Sequence, residues 1–247
     1  MSTTCRGIIT DWGGVLTTPL RETISAWLEA DRIDAEHYRI VMRTWVEGAY
    51  ADGGTAGNPI HALERGEVAV AEFERVLAAE LRLVDGGAVP AEGLIQRMFS
   101  GFHPVEEMYE TLHRARAQGM LTCLLSNSWG NGYPRERFAE IFDAVVISGE
   151  VGMRKPESVI FRHALELVGL DAAECVFIDD IERNVRAAVE LGMTGILHRD
   201  PWETRARLAE ACGIELDPVP PETGAARIGA PIFGTLDDDP PTPPVQA

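Results

Sequence analysis

The sequence predicts an α/β fold with a mainly parallel sheet and an inserted all-helical segment. Three observations carry this. Five short apolar runs, at 7–11, 120–126, 143–148, 175–179 and 194–198, have the length and continuous apolarity of strands buried on both faces. The later runs are separated by helical patterns at 134–141, 156–168, 181–191 and 201–211, and such alternation builds a parallel sheet covered by helices. The stretch 20–101 has no strand candidate. Its apolar residues (Ile24 and Leu28; Ile40, Val41 and Trp45; Phe73, Leu77 and Leu81) recur at helical spacing.

The first run ends at Asp11, and the helical insert follows, interrupted at Asp52-Gly53-Gly54 and Asp85-Gly86-Gly87. The His103-Pro104 step opens a helix to Gln118 that returns the chain to the sheet. Gly169 and Gly192 stand where helix C-terminal caps are wanted. From 217 to 247 the chain holds eight of its 15 prolines and five acids against one base, Arg227, a composition too poor in apolar residues to offset the entropy of ordering. The expected organisation is a core of 1–17 and 101–214, a helical cap of 18–100 and a disordered acidic tail of 215–247.

The 247 residues carry 22 Lys and Arg against 39 Asp and Glu, a formal net charge of −17. Such a chain is a poor partner for nucleic acid or an anionic membrane, both of which demand a basic patch. No apolar run reaches the length of a membrane span, and residues 1–7 lack the pattern of a signal peptide. Cys5, Cys123, Cys175 and Cys212 show no Cys-x-x-Cys spacing. They read as small apolar groups of a reducing compartment, with no disulfide frame and no zinc site, so a cytoplasmic protein is expected. Oligomeric state is left open.

Ligands of open parallel sheets bind beyond the carboxyl ends of the strands. There the chain places Asp11, then Ser126-Asn127-Ser128, then Asp179-Asp180, with Lys155 following the 143–148 run in Gly152-Met153-Arg154-Lys155-Pro156. Singly, each has an ordinary role: an Asp caps turns and helices, Ser-Asn makes turns, and a loop lysine is solvated. Together and in this order they form a constellation.

The segments 9–16, 124–128, 151–157 and 176–187, with Leu63-Glu64-Arg65-Gly66-Glu67 in the insert, resemble the haloacid dehalogenase superfamily, in the subfamily with a helical cap after the first motif. Within it the chain looks most like the branch of α-glucose-1-phosphate-type sugar phosphatases. The resemblance implies a Rossmann-like core and a phosphatase acting on a small phosphorylated substrate. Asp11 would be the nucleophile and would form an aspartyl-phosphate. Mg²⁺ would be held by Asp11, the backbone carbonyl of Gly13 and Asp180, with Asp179 in close support. Ser126 would donate to a phosphoryl oxygen, Asn127 would help to fix that loop, and Lys155 would pair with Asp11 and the transferring group. Asn184 stands where many relatives place another acid, or else caps or bridges the loop.

One departure stands out. Most phosphatases of this superfamily carry a second Asp two residues after the nucleophile, as acid and base, and this chain has Gly13 there. Acid–base catalysis is worth about 10²–10⁴-fold. Three explanations follow: a leaving group that needs little protonation; a substitute such as His61, Glu64 or a metal-bound water; or a site that binds phosphate and turns over poorly. A metal-independent 2-haloacid dehalogenase would use the same Asp11, but it has no need of Asp179-Asp180.

Overall fold

The computed structural model describes residues 4–48, 58–130 and 132–216. The break expected at Asp52-Gly53-Gly54 lies outside them, as does the expected disordered tail from 217 on.

Five parallel strands, β1 (Gly7–Thr10), β2 (Leu121–Ser126), β3 (Ala144–Ile147), β4 (Cys175–Asp179) and β5 (Thr194–Leu197), form one sheet in the order β3-β2-β1-β4-β5. All four pairings are parallel; β1 sits centrally, with Ile9 opposite both Cys123 and Phe177. Successive side chains of a strand point to opposite faces, so each apolar run feeds two cores. Ile8, Leu124, Val176 and Ile178 pack with α6 (Glu106–Ala117), α7 (Arg135–Ile141) and α11 (Pro201–Cys212) on one face. Ile9, Cys123, Leu125 and Phe177 pack with α9 (Ser158–Val168) and α10 (Glu182–Glu190) on the other. A further single-turn helix, α8 (Ser148–Val151), follows β3 directly. Gly169 ends α9 in the left-handed region, φ 66°, as the C-terminal cap expected there.

The insert consists of α1 (Leu20–Ala30), α2 (Ala35–Gly48), α3 (Pro59–Glu64), α4 (Val70–Glu80) and α5 (Leu94–Met98). Its helices bury Ile24, Trp27, Leu28, Phe73, Leu77 and Leu94 in a cluster of their own. Residues 81–93 are not helical, and isolated antiparallel bridges join Ile33 to Leu83 and Arg82 to Ala88. The two crossings between insert and sheet also pair: Thr18 N–H donates to His103 O (2.9 Å) and Val105 N–H to Leu16 O (3.0 Å).

Two expectations are corrected. Cys5 and Cys212 are joined as a disulfide, their Cα atoms 4.8 Å apart, although 207 residues separate them in sequence. That Cα distance suits a disulfide, and no local spacing motif could announce it. Cys123 and Cys175 are buried thiols as expected, and burial pushes the Cys175 thiol up to about 12. The tail does not begin at 215: Glu215 exchanges two hydrogen bonds with the Gln118 side chain, and Leu216 is buried against the sheet. No helix among the described residues is long and apolar enough to cross a membrane.

Candidate active site

The carboxyl ends of β1, β2 and β4 lie side by side, so Asp11, Ser126 and Asp179 meet at one edge of the sheet. Asp11 is buried; its Oδ1 accepts the Trp12 backbone N–H at 2.7 Å and pairs with Lys155 Nζ at 2.9 Å. Lys155, 1% exposed, also donates to Asp179 Oδ2 at 2.6 Å. Asp179 accepts in addition from Ile181 N–H at 2.8 Å and from Asn184 Nδ2, 3.1 Å from each oxygen. Asn184 therefore braces Asp179, the bridging role. Asp179 also caps the turn into α10.

Oxygens of Asp11, Asp179 and Asp180 lie within 4.8 Å of one another. One ammonium group faces three carboxylates, and burial makes the imbalance costly. Burial raises the Asp11 carboxyl to about 6; Lys155 opposes this and Asp179 adds to it. Burial, then Asp179 and Asp11, push Asp180 well above the carboxylate range. Burial alone would lower Lys155, but the carboxylates of Asp11 and Asp179 hold its ammonium form above the ordinary value. A buried, oxygen-only donor set with excess negative charge fits a hard divalent cation.

Asn127 acts across the loops: its Oδ1 accepts Lys155 N–H at 2.8 Å and its Nδ2 donates to Lys155 O at 3.1 Å. Ser126 is buried, with Oγ 3.1 Å from Tyr133 Oη. A Cβ on Gly13 would meet only Phe102 Cζ, at 3.9 Å, so the glycine is not enforced by packing. Gly14 differs. Its φ is +76°, and a Cβ there would stand 2.3 Å from Asp180 Oδ2.

The substitutes named for the missing acid lie at the seam between insert and sheet. Glu64 is buried in α3, and its carboxylate accepts from Arg154 Nε and, at 3.2 Å, from Trp129 Nε1. Beside it, Arg65 reaches Glu157 at 3.0 Å. A Cβ on Gly66 would stand 2.6 Å from the Gly149 carbonyl oxygen. Leu63-Glu64-Arg65-Gly66-Glu67 is therefore the docking edge of the insert, seated on the loops that carry Asn127 and Lys155. Burial, then Arg154, Arg65 and Arg183, lower His61 to about 4. Glu64, committed to Arg154, and His61, uncharged at neutral pH, do not fit a proton donor to a leaving group. Arg154 and Tyr133 were not singled out from sequence; their partners lie 90 and seven residues away, with no periodic pattern linking them.

Comparison with known proteins places this geometry. The chain is 25% identical over 226 residues to bifunctional epoxide hydrolase 2 of Sus scrofa, a match covering 85% of this chain and 39% of that protein. The chain thus spans well under half the length of that relative. It is 26% identical over 219 residues to a sesquiterpene phosphatase of Aspergillus oryzae, covering 86% of this chain and all of that one. Among solved structures, a HAD family enzyme from Bacteroides thetaiotaomicron, in complex with magnesium and inorganic phosphate, superposes with a TM-score of 0.53 at 22% identity, over 79% of this chain and 94% of that one. The family model for haloacid dehalogenase-like hydrolases matches residues 5–192. With its parallel sheet and the acids at its edge, the chain belongs to the haloacid dehalogenase-like hydrolase family.

Proposed function

We propose that the chain is a Mg²⁺-dependent phosphatase that cleaves a small phosphomonoester through an aspartyl-phosphate on Asp11. The observation that carries this is the cluster of Asp11, Asp179 and Asp180 around the ammonium of Lys155. The phosphatase relative and the magnesium–phosphate complex of a family member support it. The sugar phosphates suggested by the sequence resemblance are one substrate class to be tested.

Both bonds to Asp11 fall on Oδ1, which leaves Oδ2 for attack on phosphorus. Lys155 holds Asp11 in its charged form and offers positive charge to the transferring phosphoryl group. Ser126 Oγ supplies a donor to a phosphoryl oxygen, and Asn127 fixes the backbone of Lys155. Asp11, the carbonyl of Gly13 and Asp180 would hold Mg²⁺. Asp179, already occupied by Lys155, Ile181 and Asn184, supports them. When bound, the cation neutralises the carboxylates and polarises the phosphoryl oxygens.

Phosphate release from sugar and alkyl phosphates, with Mg²⁺ or EDTA, tests this on wild type and Asp11→Asn. Release only from wild type with Mg²⁺ is expected. Release that survives EDTA or Asp11→Asn overturns the mechanism, and halide release from 2-haloacids without metal replaces it with dehalogenation. The Gly13 position favours a second reading, a phosphate binder of low turnover; metal-dependent phosphate binding without release would establish that one.

A further inference from the structure

Beside the nucleophile loop lies a cavity of about 630 Å³, where the insert joins the sheet. Its lining includes Trp12, Phe99, Phe102, Tyr109, Tyr133 and Arg137. Four of the rings form a continuous wall: Trp12 and Tyr133 have centroids 4.7 Å apart, Trp12 and Phe102 5.4 Å, Phe99 and Phe102 5.0 Å. Two contacts tie this wall to the reacting groups. Trp12 directly follows Asp11 and donates its N–H to that carboxylate, and the Tyr133 hydroxyl lies 3.1 Å from Ser126 Oγ.

The arginine of the cavity is already committed, and His103 lies exposed at its rim. Arg137 pairs with Glu106 and stacks on the Tyr109 ring, 3.5 Å from its centroid. The cavity therefore offers no free arginine for a second anion. Pockets of this size with aromatic walls recognise apolar bodies, and polar groups at one end set the orientation. Gly13 completes the arrangement. It puts no side chain between the nucleophile loop and the ring wall: a Cβ there would have only Phe102 Cζ within 4 Å, at 3.9 Å.

We infer that this cavity is the leaving-group subsite, and that the substrate is the phosphomonoester of a bulky apolar alcohol, carrying a ring or long hydrocarbon chain, rather than of a sugar. The inference names the substrate class of the site proposed above and rests on that phosphatase reading. The ester oxygen would sit near Gly13, with the hydrocarbon against Trp12, Phe102 and Phe99.

Decyl phosphate and ethyl phosphate separate subsite from chemistry, because their leaving groups have similar basicity and differ in apolar length. The expected result is a kcat/KM at least tenfold higher for decyl phosphate, carried by KM. That ratio should fall about tenfold, the effect of losing roughly 1.4 kcal/mol of contact, in Phe102→Ala. Ser100→Trp, at an exposed position on the cavity rim, should lower it as well without disturbing the core, which covers a failure of Phe102→Ala to fold. Calorimetric binding of 1-naphthol, which has no phosphate, reads the cavity independently of turnover. Phosphate release with a decyl-to-ethyl ratio near one overturns the subsite and leaves the phosphatase standing. No release from any phosphate, with 1-naphthol bound by wild type and lost in Ser100→Trp, upholds the cavity and overturns the phosphatase. No release and no 1-naphthol binding overturns both.

Discussion

Two buried ionic clusters lie on neighbouring loops and are built on opposite principles. At the sheet edge one ammonium, Lys155, faces three carboxylates, Asp11, Asp179 and Asp180. At the seam one carboxylate, Glu64, faces one guanidinium, Arg154, both nearly inaccessible. A matched buried pair is tolerated when its remaining lone pairs are satisfied, as Trp129 does for Glu64, whereas an unmatched cluster carries a cost that a cation would relieve. Charge balance thus separates the pair that joins the insert to the sheet from the cluster proposed to hold a cation.

The largest effect that would break this comparison is on turnover: Asp11→Asn should lower kcat by about 10³-fold or more in a phosphate-release assay, since it removes the proposed nucleophile. Next is Glu64→Ala, which strands Arg154. It should destabilise the protein by about 3–5 kcal/mol in urea unfolding, and Glu64→Met with Arg154→Met should recover much of that loss. A double variant as unstable as the single one would show that the seam is not a matched pair.

Mg²⁺ at about 100 times its dissociation constant should stabilise wild type by about 2.7 kcal/mol, seen as a rise in Tm. Asp180→Asn should abolish that rise while leaving the metal-free protein no less stable, because the cluster then carries one acid fewer. An unchanged Mg²⁺ response would remove Asp180 from the ligand set.

The smallest expected effect sharpens the seam. His61 is held near 4, below its unfolded value, so the unfolded chain binds more protons between about 6.5 and 4. Its contribution to stability is complete above the unfolded value and is lost as pH falls toward 4. Tm should decline over that window more steeply in wild type than in His61→Gln.

Much of this was legible in the sequence because it is written locally. Strands of a helix-covered parallel sheet are short apolar runs, and all five occur where those runs lie. Acids at strand ends converge by topology alone, so Asp11 and Asp179 could be placed together before any distance was known. What stayed hidden depends on pairs remote in sequence. Glu64 meets Arg154 across 90 residues, Cys5 meets Cys212 across 207, and Leu216 is buried in a segment whose composition resembles the tail. Nothing in the sequence around Glu64 announces the guanidinium that buries it. Tyr133 is equally silent, because its role depends on a tilted ring contact with Trp12 and on Ser126.

The left-handed turn at Gly14 has one more consequence. A methyl group there would stand 2.3 Å from Asp180 Oδ2, so the nucleophile loop and the second acidic loop approach to the thickness of one hydrogen atom. Position 14 is thus a gauge for the bite of the site. A residue with no side chain is what lets Asp180 come this close to the loop that carries Asp11, so the spacing of the two acidic loops is set by an absence.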